Sequence, residues 1–148
     1  MRPGGRLDAH DRALLAELQA NARVTIAELA RRVKLSQPAV RERVRRLEEA
    51  GVVRGYRALV DYRALGYGIR AIVRLGRCDS ARVARAIART PEVINAFQVT
   101  GDNSWVLEIV VVDVEHLDSV VSQICALAES STSIVLKALR EHQALVAP

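Results

Sequence analysis

The chain has 148 residues, of which 50% are hydrophobic, 26% charged and 3% aromatic. That balance excludes a disordered chain, and the longest uncharged run, Ser119 to Ala128, is far below the about 20 residues that cross a bilayer. Lys and Arg outnumber Asp and Glu by 22 to 17, but residues 1–60 hold 13 basic against 7 acidic side chains and the rest 9 against 10, so the whole positive excess lies in the first part, the half suited to a polyanion.

The first part reads as three short helices. Asp8 can cap one that carries Leu14, Leu15 and Leu18 as its apolar stripe and ends near Asn21. Thr25-Ile26-Ala27-Glu28 is a capping box for the second, with Ile26, Leu29, Ala30 and Val33 on its inner face. After only Lys34-Leu35, Ser36 can cap a third helix that runs to Ala50 and stops at Gly51. Helix, very short turn, helix is the spacing of a helix-turn-helix. Val52 to Val60 then reads as an extended segment leading out of the unit.

From Gly66 the period changes from helix to strand. Tyr67, Ile69, Ala71, Val73 and Leu75 alternate with Gly68, Arg70, Ile72 and Arg74, the pattern of a half-buried strand. Asp79 can cap a helix bearing Val83, Ala86 and Ile87, closed off by Pro91. Strands follow at Val93–Val99 and Trp105–Val112, joined by the turn-rich Thr100-Gly101-Asp102-Asn103-Ser104. Asp113 can cap a helix with Leu117, Val120, Val121, Ile124 and Ala128 on one face, and Ser133–Leu139 supplies a last strand. The fold class is therefore α+β: a helix-turn-helix domain with its linker strand over residues 1–60, then a ferredoxin-like βαββαβ domain over 61–148.

Function can be argued on the third helix. At about 100° per residue, Val40, Val44 and Leu47 share a packing face, while Gln37, Arg41 and Arg45 cluster on another beside Pro38 and Glu42, flanked by Arg43 and Arg46. A helix about 12 Å wide fits the major groove, where Arg pairs with guanine and Gln with adenine, and the N-terminal residues from Ser36 onward meet the bases first. Later arginines hold phosphates. The competing interpretation is a solvated helix in which Glu42, Glu48 and Glu49 pair locally with the arginines. The charge asymmetry and the helix-turn-helix spacing favour double-stranded DNA.

The stretch from Leu7 to Asp61 resembles the N-terminal half of the Lrp/AsnC, or feast/famine, transcriptional regulators. It carries the pattern LS-x-x-AV-x-x-RV-x-RLE-x-x-GV-[IV]-x-GY from Leu35 to Tyr56. The second half, with Thr100-Gly101-Asp102 and Thr132-Ser133-Ile134-Val135-Leu136, resembles that family's effector-binding domain. The resemblance implies a transcription regulator that is a homodimer built through its C-terminal sheets, assembled further into tetramers or octamers. It also implies an amino acid or related metabolite bound between dimers, with Gly101, Asp102, Asn103 and Ser104 as effector-binding residues. Family members often carry an aromatic and then an acidic residue where this chain has Asn103 and Ser104, so the group best suited to an amino-acid ammonium is replaced. From spacing alone, Gly101 and Asp102 also read simply as a hairpin turn.

Other signals are weaker. His10, His116 and His142 are scattered with no nucleophile or paired carboxylate near them, so no enzyme, cofactor or metal is indicated. Cys78 and Cys125 are far apart and outside metal-ligand spacing. Cys78, beside Arg77 and ahead of a helix, reads either as an oxidation-responsive thiol or as an ordinary half-buried one, and Cys125 reads as core. Trp105 and Phe97 read as sheet packing. Met1 to Arg6 has no apolar stretch behind it and does not resemble a secretory signal, which points to the cytoplasm. A rival from another class is a small-molecule-binding oligomer whose basic N-terminal unit contacts protein. Salt-dependent duplex binding separates the two.

Overall fold

A computed structural model describes residues 7–126 and 128–145. The readings made of Met1 to Arg6 and of the Cys125 side chain lie outside what it describes. Contacts divide the chain into two units: the chain up to Leu59 together with the stretch from Arg140, and Val60–Leu139.

In the first unit, α1 (Ala9–Ala20), α2 (Ile26–Val33) and α3 (Gln37–Glu49) each begin at the expected capping residue. Asp8 and Asp11 exchange hydrogen bonds: the Asp11 N–H donates to the Asp8 carboxylate at 2.8 Å and the Asp8 N–H to Asp11 at 3.2 Å. Thr25 and Glu28 do the same at 3.2 and 3.1 Å. These reciprocal bonds satisfy N–H groups that a helix start leaves without a partner. The turn between α2 and α3 is short because Lys34 adopts a left-handed conformation, φ +55°, and the Leu35 N–H returns to the Ala30 carbonyl at 3.0 Å. Ser36 then accepts from the Ala39 N–H, with Pro38 in the first turn. Leu14, Leu29, Ala30, Val33 and Val40 form the buried core, with Leu18, Ile26, Leu35 and Val44 packed around it. Gly51, at φ +68°, ends α3, and the Val52 and Val53 N–H groups close on the Leu47 carbonyl. The segment after Val53 pairs with no strand among the described residues. Late in the chain, Gln19 clasps the backbone of Leu145: its amide donates to the Leu145 carbonyl at 2.9 Å and its oxygen accepts the Leu145 N–H at 2.8 Å.

The second unit is a four-stranded antiparallel sheet of β1 (Ile69–Leu75), β2 (Val93–Gln98), β3 (Trp105–Val111) and β4 (Ser130–Ile134), ordered β2-β3-β1-β4. Two helices, α4 (Ser80–Ile87) and α5 (Val114–Cys125), complete the βαββαβ order. Alternation puts Ala71, Val73, Leu75, Leu107, Ile109 and Val111 on one face, where Val83, Leu117, Val120 and Ile124 cover them. At about 1.5–3 kcal/mol for each fully buried Leu, Ile or Val, this face holds the unit together. The other face carries Arg70, Ile72 and Arg74 opposite Val110, Glu108 and Val106. Gly68 sits where a Cβ would lie 2.7 Å from the Val112 carbonyl oxygen, so β1 enters the sheet through a space only glycine fits.

Two elements have boundaries three or more residues from those read in the sequence, the others shifting by one or two. The last strand starts three residues before Ser133 and ends at Ile134, because its position follows from backbone pairing with β1, Leu75 opposite Ser130 and Ala71 opposite Ile134. All five of its residues are exposed, so no burial pattern marks it, while Leu136 and Leu139 lie beyond the ladder with their side chains in solvent. Helix α5 ends at Cys125, and Ala128 packs on the core from beyond the helix.

Candidate nucleic-acid interface

Helix α3 is held by its inner face and by one ionic cluster. Val40 and Leu47 are buried and Val44 half-buried. Beside them, Asp11 of α1 is the only buried charged residue among those described, 3% exposed. It accepts from Arg43 at 2.7 Å and from Arg46 at 3.0 and 3.1 Å. Arg43 also donates to Asp8 at 2.6 Å. The Asp11 N–H and then the Arg43 guanidinium hold the Asp8 carboxyl down at about 2.

The residues singled out on α3 are thus not equivalent. Gln37, Pro38 and Arg41 stand exposed along the outer face, and Arg41 has no ion pair among the described residues. Arg45 is also outward, its side chain 57% exposed, but each of its three guanidinium nitrogens donates within the helix. Nε and Nη2 donate to Glu42 at 3.0 and 2.6 Å, and Nη1 to Glu49 at 2.6 Å. The bond from Arg45 lowers the Glu42 pKa, and Glu42 and Glu49 raise that of Arg45. Arg46 is half free: it reaches Asp11 yet keeps 56% of its side chain in solvent. Arg43 is different. Its side chain is 24% exposed and turned to α1, so it braces α3 instead of flanking the outer face. Ser36 uses its hydroxyl oxygen as the helix cap. The brace was missed because Asp11 and its arginines are 32 and 35 residues apart. The signal available was angular, since Arg43 falls about 40° from Leu47 on the helix.

In the second unit, the Val99 N–H donates to the Ser104 carbonyl at 3.1 Å and the Ser104 N–H to that of Leu75 at 2.8 Å. Between them Gly101 takes φ +103°, a conformation that L side chains resist. Asp102 is exposed, Asn103 and Ser104 half-buried. His116 is structural: its Nδ1 accepts from the Val112 N–H at 3.4 Å and its Nε2 faces Glu92 at 3.2 Å. Cys78 is half-buried against the core. Trp105 packs on that core, whereas Phe97 is 55% exposed, on the face opposite to it. No group of His, Cys, Asp and Glu among the described residues could hold a metal. No helix among them is long and apolar enough to cross a membrane.

Residues 7–54 match the family model for a winged helix-turn-helix DNA-binding domain, and residues 71–145 that of the Lrp/AsnC ligand binding domain. The HTH-type transcriptional regulator Rv2324 of Mycobacterium tuberculosis is 38% identical over 140 residues, 90% of this chain and 95% of that protein. The chain belongs to the Lrp/AsnC family. It is a DNA-binding transcriptional regulator with a helix-turn-helix unit and a ferredoxin-like unit. Two solved structures of Lrp/AsnC-like regulators complete the comparison. The transcriptional regulator NMB0573 of Neisseria meningitidis, in complex with L-methionine, superposes with a TM-score of 0.87 at 30% identity, covering 95% of this chain and 96% of that one. The feast or famine regulatory protein Rv3291c of M. tuberculosis, also complexed with L-methionine, gives 0.89 at 33% identity, covering 96% and 100%.

Proposed function

We propose that this Lrp/AsnC regulator reads its operator with the outer face of α3, Gln37 and Arg41 meeting base edges and Arg45 and Arg46 meeting phosphate. The observation that carries this reading is the exposed row Gln37, Pro38, Arg41 at the N-terminal end of a capped, braced helix. Ser36 contributes through the helix start it caps, and Arg43 is left out of the interface because it is committed to Asp8 and Asp11. Two such helices are presented by a homodimer joined through the sheet face that carries Ile72, Val106 and Phe97 and no covering helix, and dimers assemble further. The effector is an amino acid or related small metabolite held at Gly101, Asp102, Asn103 and Ser104. The two methionine-complexed relatives support that class, and Ser104 in place of an acidic residue makes the binding weak or altered in selectivity. The protein acts in the cytoplasm.

Selection of bound fragments from random duplex DNA, with and without L-methionine, tests the whole reading. The expected product is an imperfect palindrome with half-sites about one helical turn apart or a multiple of it. Arg41→Ala should then weaken that site by about 1–3 kcal/mol and relax one position within each half-site. Unchanged affinity and sequence preference after Gln37→Ala with Arg41→Ala, in a folded protein, refutes the assignment of α3.

A further inference from the structure

Helix α3 carries four arginines and three glutamates, a net of +1 on the element that meets a polyanion. Glu48 is drawn aside, accepting from the Tyr56 hydroxyl at 2.8 Å. Glu42 and Glu49 are not. They lie about 60° and 40° round the helix from Arg45, on its own side, and between them occupy all three nitrogens of its guanidinium. A carboxylate pair placed this way presents to Arg45 what a DNA phosphate would present: paired anionic oxygens in the plane of the guanidinium. Three of the five N–H donors of Arg45 are thus taken, so a phosphate competes with the carboxylates for a full set of bonds and meets their charge in doing so.

We propose that Glu42 and Glu49 are built-in competitors of DNA phosphate, which hold down sequence-independent binding by occupying Arg45 and repelling the backbone. The inference rests on α3 being the DNA-facing helix. Non-specific binding comes almost wholly from phosphate contacts, so it bears the full effect of the competitors. Binding at the operator also draws on base contacts from Gln37 and Arg41, which the glutamates do not occupy. Both pairs are solvent-exposed, with side chains about 57–64% accessible, and exposed pairs of this kind are weak. The competitors are therefore displaced readily, and they tune binding instead of blocking it. Asp11 holds Arg46 more firmly, since that carboxylate is buried and shared with Arg43.

The test uses the full chain carrying both Glu42→Gln and Glu49→Gln, with affinity for a random-sequence duplex measured across salt concentration. Binding should tighten about tenfold near 0.1 M salt, converge on wild type as screening shortens the Debye length, and show a salt slope steeper by about one phosphate contact. The tightening should shrink when Arg45→Ala is added. A control carrying Glu115→Gln and Asp118→Asn removes the same charge from exposed positions of α5 in the other unit. Equal tightening in that control, or affinity in the glutamate variant that is unchanged or lower with the fold intact, overturns the proposal. If Arg41→Ala and Arg45→Ala each leave wild-type binding unaltered, the error lies in the choice of α3.

Discussion

Replacing Asp11 with alanine removes the one buried charge among the described residues and with it the ionic tie between α1 and α3. Asp11 accepts a backbone N–H from Asp8 and guanidinium bonds from Arg43 and Arg46. Breaking a buried pair by deleting one partner costs about 3–5 kcal/mol. Here Arg43 retains Asp8 and is 24% exposed, and Arg46 can turn to water, so the lower part of that range or slightly below, about 2–3 kcal/mol, is expected. Against the roughly 5 kcal/mol that a helical unit of this size commands, the loss is about half. The assay separates the two units by probe. The chain's single tryptophan, Trp105, lies in β3 and reports the sheet unit, while far-ultraviolet circular dichroism is dominated by helix. In urea, the helical transition of Asp11→Ala should fall by about 2 M, with a slope near 1–1.5 kcal/mol/M, and the tryptophan transition should stay close to wild type. A shift of the helical transition by less than about 0.5 M would show that the cluster contributes no more than a surface pair.

Three further outcomes are expected. The Asp8 carboxyl should titrate near 2 instead of near 4; because its folded pKa is depressed, the stabilisation is full above the unfolded value and disappears as pH falls from about 4 through about 2, which carbon-detected NMR and acid melts of wild type and Asp8→Asn can follow. Asp102→Ala should abolish any effect of L-methionine on DNA affinity while leaving ligand-free binding within about twofold, since coupling between the two sites is reciprocal; calorimetry that finds methionine bound equally well to the variant would place the site elsewhere. Ile72→Glu sets a second carboxylate beside Glu108 on the open sheet face and should yield a folded monomer at micromolar concentration by light scattering; a variant that remains dimeric contradicts the interface chosen.

The helices and caps were legible in the sequence because they are local: Asp8 with Asp11, Thr25 with Glu28 and Ser36 with Ala39 act across three residues. The strand alternation of Ile69–Leu75 was legible because one face is covered and the other is not. Strand β4 was not, since Ser130-Ser131-Thr132-Ser133 gains its strand character from hydrogen bonds to β1, with no burial to leave a pattern. On α3, helical angle separated Arg41 and Arg45 from the flanking Arg43 and Arg46 but put all four at the DNA-facing surface. Their separate roles depend on acids three to 35 residues away, which only the folded chain brings into place. The resemblance pointed to Gly101–Ser104 as an effector turn, and local spacing described the same residues equally well as a hairpin.

The clasp between Gln19 and Leu145 gives the molecule a history as well as a shape. Its partners are 126 residues apart, whereas Asp11 meets Arg43 across 32, two doublings of loop length and about 1.2 kcal/mol more entropy to close from an unfolded chain. Folding of the sheet shortens that loop and lowers this cost, so the clasp is expected to follow the sheet in order of formation. During synthesis at about 5–20 residues per second, Leu145 emerges roughly 6–25 s after Gln19. Once α3 has also emerged, the three helices have every residue of their caps, core and ionic brace, while the Gln19 amide lacks this partner until Leu145 is made. In the full chain the Leu145 N–H is held by the Gln19 oxygen, so hydrogen exchange at Leu145, compared between wild type and Gln19→Ala, reads the clasp directly.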